Sequence, residues 1–486
     1  MKKFYITTAI PYANAKPHIG TAMDYLYGDI LLRHQTMQGN DALLSVGTDE
    51  HGTKVAKKAA DNGQTPQEFV DELQPHFETM RQKLNLDFSH IRNVRTTDEQ
   101  HVRRVQDIWR RLDAAGLIYK NTYEGWYCVG CERFIPDNEA RAMNFICDDH
   151  QKPLEKLSED NYYLAVSKYT GQIRDFIKTA VVPEFRGREL LDLVKDGAKD
   201  VSISRPVDKL EWGIPVPGDE SQVMYVWIDA LSNYLTVIGY PENDEYRDFW
   251  PADIEIVGKD IARFHAIIWP AMLLGLGLEL PSKLMIHGFV NVGGAKMSKS
   301  IGNVVSPLEI IDEYGVDAFR YYFARHIPTF EDGDFTWEKF ESAYNGELAN
   351  DLGNLVSRVA NMAKKYMNGD LSGITNADST HTTSENLDNL QLAAAIDNVW
   401  LQIQQANKFV DDQKPWQLAK MGETEQLAVV MSKLVSDIRA IARELLPFLP
   451  ETSTKINEIF GGDTIPDNIP ILFPKKYLHS EEPSRK

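Results

Sequence analysis

The first forty residues carry the feature that most restricts how this chain can fold. Residues 4–10 are rich in β-branched and aromatic side chains, which is typical of a buried strand, and Pro11 ends the run. A turn containing proline and glycine follows, and residues 22–38 then place apolar side chains at helical spacing. A buried strand that passes through a tight turn into a helix predicts an α/β fold.

The turn between this strand and helix predicts an anion-binding site. Backbone N–H groups at a helix N-terminus attract phosphate, and Gly20 lets the backbone approach a nucleotide closely. His18 could donate a hydrogen bond to a phosphate there, and the alternative is that it only caps the helix. A second predicted strand, residues 42–46, leads to Asp49, which is either a partner for an ammonium group or a helix N-cap.

A loop rich in glycine and lysine lies in the second half of the chain. Residues 287–303 contain four glycines and two lysines three positions apart, Lys296 and Lys299, with Ser298 between them. Such ammonium groups can neutralise the charge that develops on phosphate oxygens during a displacement. The alternative is an ordinary solvated surface loop, and the loop sequence alone does not separate the two.

All three cysteines of the chain fall within residues 128–147. Cys128 and Cys131 form one closely spaced pair, and after fifteen residues Cys147 and His150 form a second. Together they would give a closed tetrahedral shell for one Zn²⁺, and four protein ligands predict a structural metal because no position stays open. The alternative is three free thiols beside an unrelated histidine.

Length and charge limit the class of protein. A chain of 486 residues with 43% hydrophobic and 25% charged side chains predicts a globular protein of two to four domains. It has no apolar run of membrane-spanning length and no signal-peptide core, so we expect a cytoplasmic protein without a membrane partner. The net charge of −19 argues against indiscriminate coating of nucleic acid, but a structured RNA could still bind local patches.

The remainder of the chain divides into a mixed region and a helical one. Trp227, Tyr234, Ile261 and His265 would suit a pocket for a small uncharged side chain, with a plain core role as the alternative. From about residue 343 onward apolar side chains recur at helical spacing. Residues 368–387 are polar and predict a loose connection, and an irregular segment is expected from residue 461 onward.

Together these residues resemble the methionine branch of the class I aminoacyl-tRNA synthetases over nearly the whole chain. Residues 18–21 are similar to the family's HIGH element, and residues 296–300 match its KMSKS element in full. Thr21 stands where the family pattern has its second histidine. The stretches similar to methionine-branch segments are 9–14, 47–52, 225–230, and 258–261 with His265.

The resemblance implies an α/β fold with a Rossmann-type nucleotide-binding domain, a zinc-knuckle connective insertion and an all-α anticodon-binding helical bundle. The family often carries a further tRNA-binding barrel in its dimers, and because none follows the helices here we expect a monomer. The predicted boundaries are 1–117 and 223–292 for the two halves of the catalytic domain, 118–222 for the insertion, 293–342 for the KMSKS loop and stem-contact region, and 343–486 for the helical domain.

The activity that the resemblance implies is that of a ligase. L-methionine and ATP, which Mg²⁺ would accompany, give methionyl-adenylate and pyrophosphate, and methionine is then transferred to the 3′ end of tRNA(Met). The alternatives are a tRNA-binding paralogue with impaired catalysis and a small-molecule adenylyltransferase. The second would need neither a zinc insertion nor a long helical domain.

The resemblance also assigns roles to single residues. The catalytic set is His18, Gly20, Thr21, Lys296, Ser298 and Lys299. The ATP-binding set is Pro11, Asn14, His18, Gly20, Gly258, Lys296, Met297, Ser298, Lys299 and Ser300. The methionine-binding set is Ile10, Tyr12, Asp49, Trp227, Ala230, Leu231, Tyr234, Ile261 and His265. The anticodon-binding set is Asn354, Arg358 and Trp416, and the zinc ligands are Cys128, Cys131, Cys147 and His150.

Overall fold

The computed structural model describes residues 2–131, 133–297, 304–375 and 381–477, so Ser298, Lys299 and Ser300 lie outside the described residues. Contacts within the chain divide it into two units, each built from separate stretches of sequence. The first unit comprises Met1–Lys16, Ala42–Glu78 and Ser89–Ile286. The second comprises Pro17–Asp41, Thr79–Phe88 and His287–Lys486.

The strands are numbered in chain order. They are β1 Lys3–Thr8, β2 Asp41–Thr48, β3 Ile91–Arg95, β4 Ile118–Cys128, β5 Arg133–Ile135, β6 Glu155–Leu164, β7 Val181–Val182, β8 Val201–Ser202, β9 Ser204–Pro206, β10 Pro215–Val216, β11 Asp219–Met224, β12 Ile254–Gly258, β13 Lys283–His287, β14 Val290–Val292, β15 Ala295–Lys296 and β16 Gly333–Phe335.

The largest sheet in the described part of the chain has six strands in the order β3, β2, β1, β12, β13, β7. The pairs β1/β12, β2/β3 and β13/β7 are parallel, with Ile6 opposite Ile254 and Leu44 opposite Ile91. Almost every residue of β2 and β12 is buried, as in a parallel sheet covered on both faces. The predicted α/β fold with a Rossmann-type sheet is confirmed.

Smaller sheets complete both units. In the first unit, strands β5, β4, β6 and β8 form one sheet in that order, and β10, β11 and β9 form another. The β4/β6 pair is antiparallel and runs from Ile118 opposite Leu164 to Tyr127 opposite Glu155. In the second unit, β15, β14 and β16 form a three-stranded sheet.

The helices are also numbered in chain order. They are α1 Ile19–Met37, α2 Thr53–Asp61, α3 Pro66–Lys83, α4 Glu99–Ala114, α5 Asp137–Ala142, α6 Thr170–Ala180, α7 Glu184–Leu193, α8 Val226–Thr236, α9 Glu245–Phe249, α10 Trp269–Gly275, α11 Pro307–Tyr314, α12 Val316–Arg325, α13 Trp337–Ala343, α14 Asn354–Met367, α15 His381–Asp388, α16 Leu392–Gln413, α17 Pro415–Met421, α18 Thr424–Leu445 and α19 Pro450–Phe460.

Two π-helical segments join these helices. Phe264–Ile268 leads into α10, and Tyr344–Gly353 leads into α14. In the second segment the backbone N–H of Asn354 donates to Ala349 O, five residues back, which is the π-helical hydrogen bond. No helix among the described residues has both the length and the apolar character needed to cross a membrane.

The structure differs from the sequence prediction in three places. Strands β3 and β7 were not predicted, and they form the two edges of the large sheet. The prediction that residues 368–387 form a loose connection is wrong at its end, because α15 begins at His381. The helical prediction from residue 343 onward is confirmed, and the domain boundaries stay a prediction.

Candidate active site

Three predicted ligand residues follow the C-terminal ends of neighbouring strands in the first unit. Pro11 follows β1, Asp49 follows β2, and Gly258 is the last residue of β12. The Asp49 N–H donates to Pro11 O at 2.9 Å, and the Ala13 N–H donates to Asp49 O at 2.8 Å. These bonds place Tyr12 directly opposite Asp49 as an isolated parallel bridge. This edge of a parallel sheet is where α/β proteins bind ligands.

The structure excludes the alternative that Asp49 is the N-cap of a helix. Helix α2 begins at Thr53, and its N-cap residue is Gly52. Asp49 is buried beside Tyr12, where a carboxylate suits an ammonium group. Lys54 Nζ lies 5.3 Å from the centre of the Tyr12 ring, a cation–π contact that the sequence did not predict.

Helix α8 supplies four residues of the predicted methionine set. Ala230, Leu231 and Tyr234 are buried, and Trp227 is partly exposed. The Tyr234 hydroxyl lies 2.7 Å from His265 Nε2, while His265 Nδ1 lies 3.1 Å from Ile261 O. Because a carbonyl oxygen only accepts, Nδ1 carries the proton and the Tyr234 O–H donates to Nε2. Burial lowers the pKa of His265 to about 4, so this imidazole is neutral near pH 7.

An aromatic partner of Trp227 was missed from the sequence. The rings of Trp227 and Phe264 stack with their centres 3.6 Å apart and their planes 13° from parallel. The Arg263 guanidinium lies 4.6 Å from the centre of the Phe264 ring. Phe264 lies three residues after Ile261 and one before His265. Its position between two predicted site residues could have identified it as a further candidate.

Ile10 lies at the same edge of the large sheet. A Cβ placed on Gly47, in β2, would come within 3.0 Å of Ile10 Cγ2 and 2.4 Å of Val94 O. Glycine is therefore required at position 47, because any larger residue would displace Ile10 or strand β3. The structure thus brings Ile10, Tyr12 and Asp49 together through β1 and β2, and Tyr234, Ile261 and His265 together through direct contacts.

The second unit contains the predicted phosphate-binding turn. His18 is the N-cap residue of α1, but its side chain makes no capping hydrogen bond, so the capping alternative is wrong. A Cβ on Gly20 would lie 2.9 Å from His18 Cε1 and 3.8 Å from Met297 Cε. The exposed His18 ring therefore lies over Gly20 at the helix N-terminus, and Met297 reaches the same place.

Lys296 lies in a hairpin. Strands β14 and β15 pair antiparallel, with Asn291 opposite Lys296, and the Lys296 Nζ lies 4.9 Å from the centre of the Phe289 ring. At the start of this segment His287 Nε2 lies 3.0 Å from Asp24 Oδ1, three residues after Thr21 in α1. Within the second unit, the start of α1 is therefore in direct contact with His287, which precedes the KMSKS loop.

The cysteine and histidine residues of the insertion form one cluster. The ligand atoms of Cys128, Cys131, Cys147 and His150 all lie within 4.8 Å of one another. Cys131 Sγ is 3.5 Å from Cys147 Sγ and 3.3 Å from His150 Nδ1, and Cys147 Sγ is 3.7 Å from the same nitrogen. Tetrahedral zinc–sulfur bonds of about 2.3 Å put neighbouring ligand atoms about 3.8 Å apart. The cluster can hold a metal ion.

The three predicted anticodon residues lie together on the helical part of the second unit. Arg358 Nη2 donates to Asp411 Oδ1 at 2.9 Å, and its guanidinium lies 5.9 Å from the centre of the Trp416 ring. Asn354 is exposed one helical turn before Arg358 in α14, and Trp416 is 40% exposed. An exposed aromatic ring beside a guanidinium and an amide can stack on and hydrogen-bond to an unpaired base.

Comparison with known proteins agrees with this arrangement. The family model described as tRNA synthetases class I (M) matches residues 4–360. A methionine–tRNA ligase of Clostridium acetobutylicum is 44% identical over 94% of this chain and 73% of its own length. That of Streptomyces coelicolor is 40% identical over 95% of this chain and 90% of its own.

A solved structure gives the same result in three dimensions. The Mycobacterium tuberculosis methionyl-tRNA synthetase in complex with methionyl-adenylate superposes with a TM-score of 0.90 at 34% identity. The match covers 97% of this chain and all of the other.

Proposed function

The chain belongs to the methionine-type class I tRNA synthetases, and from this premise we propose which of its residues carry out the methionine–tRNA ligase reaction. In that reaction the methionine carboxylate attacks the α-phosphate of ATP, pyrophosphate leaves, and the activated methionine passes to tRNA. No covalent bond to the enzyme is required. The protein therefore acts by placing the reactants and by stabilising the charge that develops on the phosphates.

Methionine is assigned to the first unit. The Asp49 carboxylate would bind the substrate ammonium group, and Tyr12, opposite it, would cover the Cα side. Trp227, Ala230, Leu231, Tyr234, Ile261 and His265, with Ile10, would surround the thioether. The strongest support is the Tyr234–His265 hydrogen bond at 2.7 Å, because it occupies the polar atoms of both side chains and presents an uncharged wall.

ATP is assigned to the residues that the family resemblance names. Pro11, Asn14 and Gly258 would contact the nucleotide, and His18, Gly20 and Thr21 would bind its phosphates at the N-terminus of α1. Lys296, Met297, Ser298, Lys299 and Ser300 would meet the leaving pyrophosphate, and Mg²⁺ would accompany ATP. The lysine charges stabilise the transition state more than the bound substrate, since the charge on the leaving group grows during the displacement.

The Cys₃His cluster is assigned to one Zn²⁺. Three thiolates and one imidazole are a donor set that zinc prefers, and four protein ligands leave no place for a water molecule. Zinc bound here supplies structural stability to the insertion and takes no part in the reaction. Its ligands would be Cys128, Cys131, Cys147 and His150.

The tRNA anticodon is assigned to Asn354, Arg358 and Trp416. Stacking of a base on an aromatic ring contributes about 1–3 kcal/mol, and Trp416 offers an exposed ring next to a positive charge. Replacement of Trp416 by alanine should therefore reduce the charging of tRNA(Met) while methionine activation persists.

ATP–pyrophosphate exchange with each amino acid in turn tests the assignment of function. We expect exchange only with methionine among the standard amino acids. Lys299→Ala should slow it by about 10²–10³ with little change in the methionine KM, as for a contact made to the developing charge. Absence of methionine-dependent exchange, with tRNA binding intact, would instead identify an impaired paralogue, the alternative that Thr21 suggests.

A further inference from the structure

Helix α8 has two functional faces. Successive residues of an α-helix are about 100° apart, so Trp227, Ala230, Leu231 and Tyr234 point to one side. Asp229 and Thr236 point to the opposite side, away from the predicted methionine pocket. Both are almost fully buried, with exposed fractions of 1% each. A buried carboxylate on the rear of a substrate-binding helix needs donors, because an unpaired buried charge is very unfavourable.

Two histidines from separate segments supply these donors. His51 Nδ1 lies 2.7 Å from Asp229 Oδ2, and His101 Nε2 lies 2.7 Å from Asp229 Oδ1. The other nitrogen of His101 lies 2.7 Å from Thr236 Oγ1, about two turns further along α8. His101 belongs to α4, and both histidines are buried. Each oxygen of the carboxylate therefore has its own N–H donor.

The charge state of this cluster follows from its geometry. An ionised carboxylate only accepts hydrogen bonds, so Nδ1 of His51 and Nε2 of His101 carry protons and donate. Burial acts to raise the pKa of Asp229, but the two histidines outweigh that effect and the pKa lies below its ordinary value. The carboxylate accordingly stays ionised and fixes the rotation of α8 about its axis.

The same cluster is joined to the proposed ammonium site. His51 lies two residues after Asp49, and the backbone between them is held on both sides. The Asp49 N–H donates to Pro11 O at 2.9 Å, and the Gly52 N–H donates to Trp212 O at 3.2 Å. The Trp212 indole N–H donates to Glu50 O at 2.7 Å. A segment held in this way transmits the position of His51 to Asp49.

We propose that Asp229 is a positioning residue, which through His51 sets the distance between the ammonium subsite at Asp49 and the side-chain subsite on α8. The inference rests on the proposed assignment of the methionine pocket. The distance between the two subsites decides which length of substrate side chain fits. The substrate must contact its ammonium partner and fill the apolar pocket at the same time. The cluster is therefore a determinant of selectivity that does not touch the substrate.

The test compares variants that remove the donor with variants that restore it. The side-chain amide of asparagine can occupy the place of a histidine Nδ1, so His51→Asn keeps a donor that His51→Ala removes. By the same reasoning His101→Gln keeps the Nε2 donor that His101→Ala removes. His34→Ala is the matched control, since His34 is a buried histidine that lies 2.8 Å from Asp388 within the second unit.

Methionine-dependent pyrophosphate exchange is measured for each variant with methionine and with ethionine, which is one methylene longer. We expect His51→Ala to raise the methionine KM by about tenfold, with kcat and the ATP KM within about twofold. Its preference for methionine over ethionine should fall several-fold. His51→Asn should restore both values, and His34→Ala should lower stability without changing the preference.

A preference that stays within twofold of the wild type in folded His51→Ala would overturn the proposal and leave the cluster a purely structural role. If His51→Ala does not fold, the preference for methionine over ethionine is measured in Asp229→Asn instead. That variant also breaks the cluster, because an amide can accept from only one of the two histidines in their present tautomers. Failure of the proposed function is distinguishable, since the wild-type protein itself would then show no exchange with methionine.

Discussion

The core around the six-stranded sheet and the core of the proposed zinc knuckle, which surrounds the Cys₃His cluster, differ greatly in size. The first contains dozens of buried apolar residues contributed by strands β1, β2, β12 and β13 and by several helices. Among the described residues the second contains five buried ones, and Cys128 and Cys147 are two of them. Packing can hold the first in shape, whereas a core of that size cannot stabilise a fold without a cross-link or a metal.

This difference shows that one region can be held by apolar packing while another depends on metal ligands. Around the large sheet, the proposed ligand residues follow strands whose positions are fixed by parallel pairing and burial. In the knuckle, the C-terminal end of β4 and the turns that follow bring three thiols and an imidazole together. The large sheet should therefore be sensitive to pH through its buried titratable groups, and the knuckle to metal.

Removal of the metal should have the largest effect. Structural zinc sites contribute on the order of 10 kcal/mol to folding, so chelation or Cys147→Ser should unfold the knuckle while the large sheet persists. Hydrogen exchange should increase in residues 126–154 and remain slow in β1 and β12. Elemental analysis should return one zinc per wild-type chain, and a value well below one would contradict the assignment.

Glu255 should make the large sheet sensitive to alkali. It is fully buried in β12, accepts a hydrogen bond from Trp269 Nε1 at 2.8 Å, and burial raises its pKa to about 8. A raised pKa means that its contribution to stability is complete below pH 4.5 and lost as the pH rises through 8. The expected loss is on the order of 5 kcal/mol.

Denaturant unfolding of the wild type and Glu255→Gln from pH 4.5 to 9 measures this contribution. The variant should lose less stability than the wild type over that range, because glutamine has no proton to lose. Parallel curves for the two proteins would show that Glu255 is not the responsible group.

His265 should give the opposite dependence. Burial lowers its pKa to about 4, so its contribution to the free energy of unfolding is present above pH 6.5 and is lost as the pH falls toward 4. The expected loss is about 3 kcal/mol. The difference in stability between wild type and His265→Gln should therefore shrink between pH 6.5 and 4, and an unchanged difference would mean that His265 is already charged at neutral pH.

The smallest effect is expected at a glycine of the knuckle. A Cβ on Gly130 would lie 2.4 Å from Cγ of His150, so Gly130→Ala should displace that ligand and weaken zinc binding by about tenfold. Gly171→Ala is the control, because a Cβ there meets no atom within 4 Å. Competition with a zinc chelator compares the two, and equal affinities would show that His150 adjusts without cost.

The sequence predicted the parts of the fold that show strong patterns. The first strand and helix were predicted because apolar residues fill β1 and recur along α1. Strand β3 was missed because Arg92 and Arg95 interrupt its apolar pattern, and β7 because two residues carry no periodicity. Helix α15 was missed because its residues are mostly polar, although Leu387 is buried.

Some residues of the candidate site could likewise be predicted from the sequence, and others could not. Asp49 could be predicted because it follows a buried strand, where parallel sheets bind ligands, whereas Gly258 was assigned through the family resemblance. His101 could not be predicted, since a lone histidine in an amphipathic helix gives no sign of a partner 128 residues further along the chain. The tautomer of His265 depends on Ile261 O and the Tyr234 hydroxyl, which only the folded chain brings into contact.

The π-helical segment Tyr344–Gly353 has a consequence for sequence change over evolutionary time. Its hydrogen bonds between residues five apart make its turns wider than those of an α-helix, and α14 with Asn354 and Arg358 begins directly after it. Deletion of one residue in this segment would rotate every later side chain of α14 by about 100°. We therefore expect insertions and deletions to be tolerated before Tyr344 or after Met367, and to be selected against in the ten residues between Ala343 and Asn354.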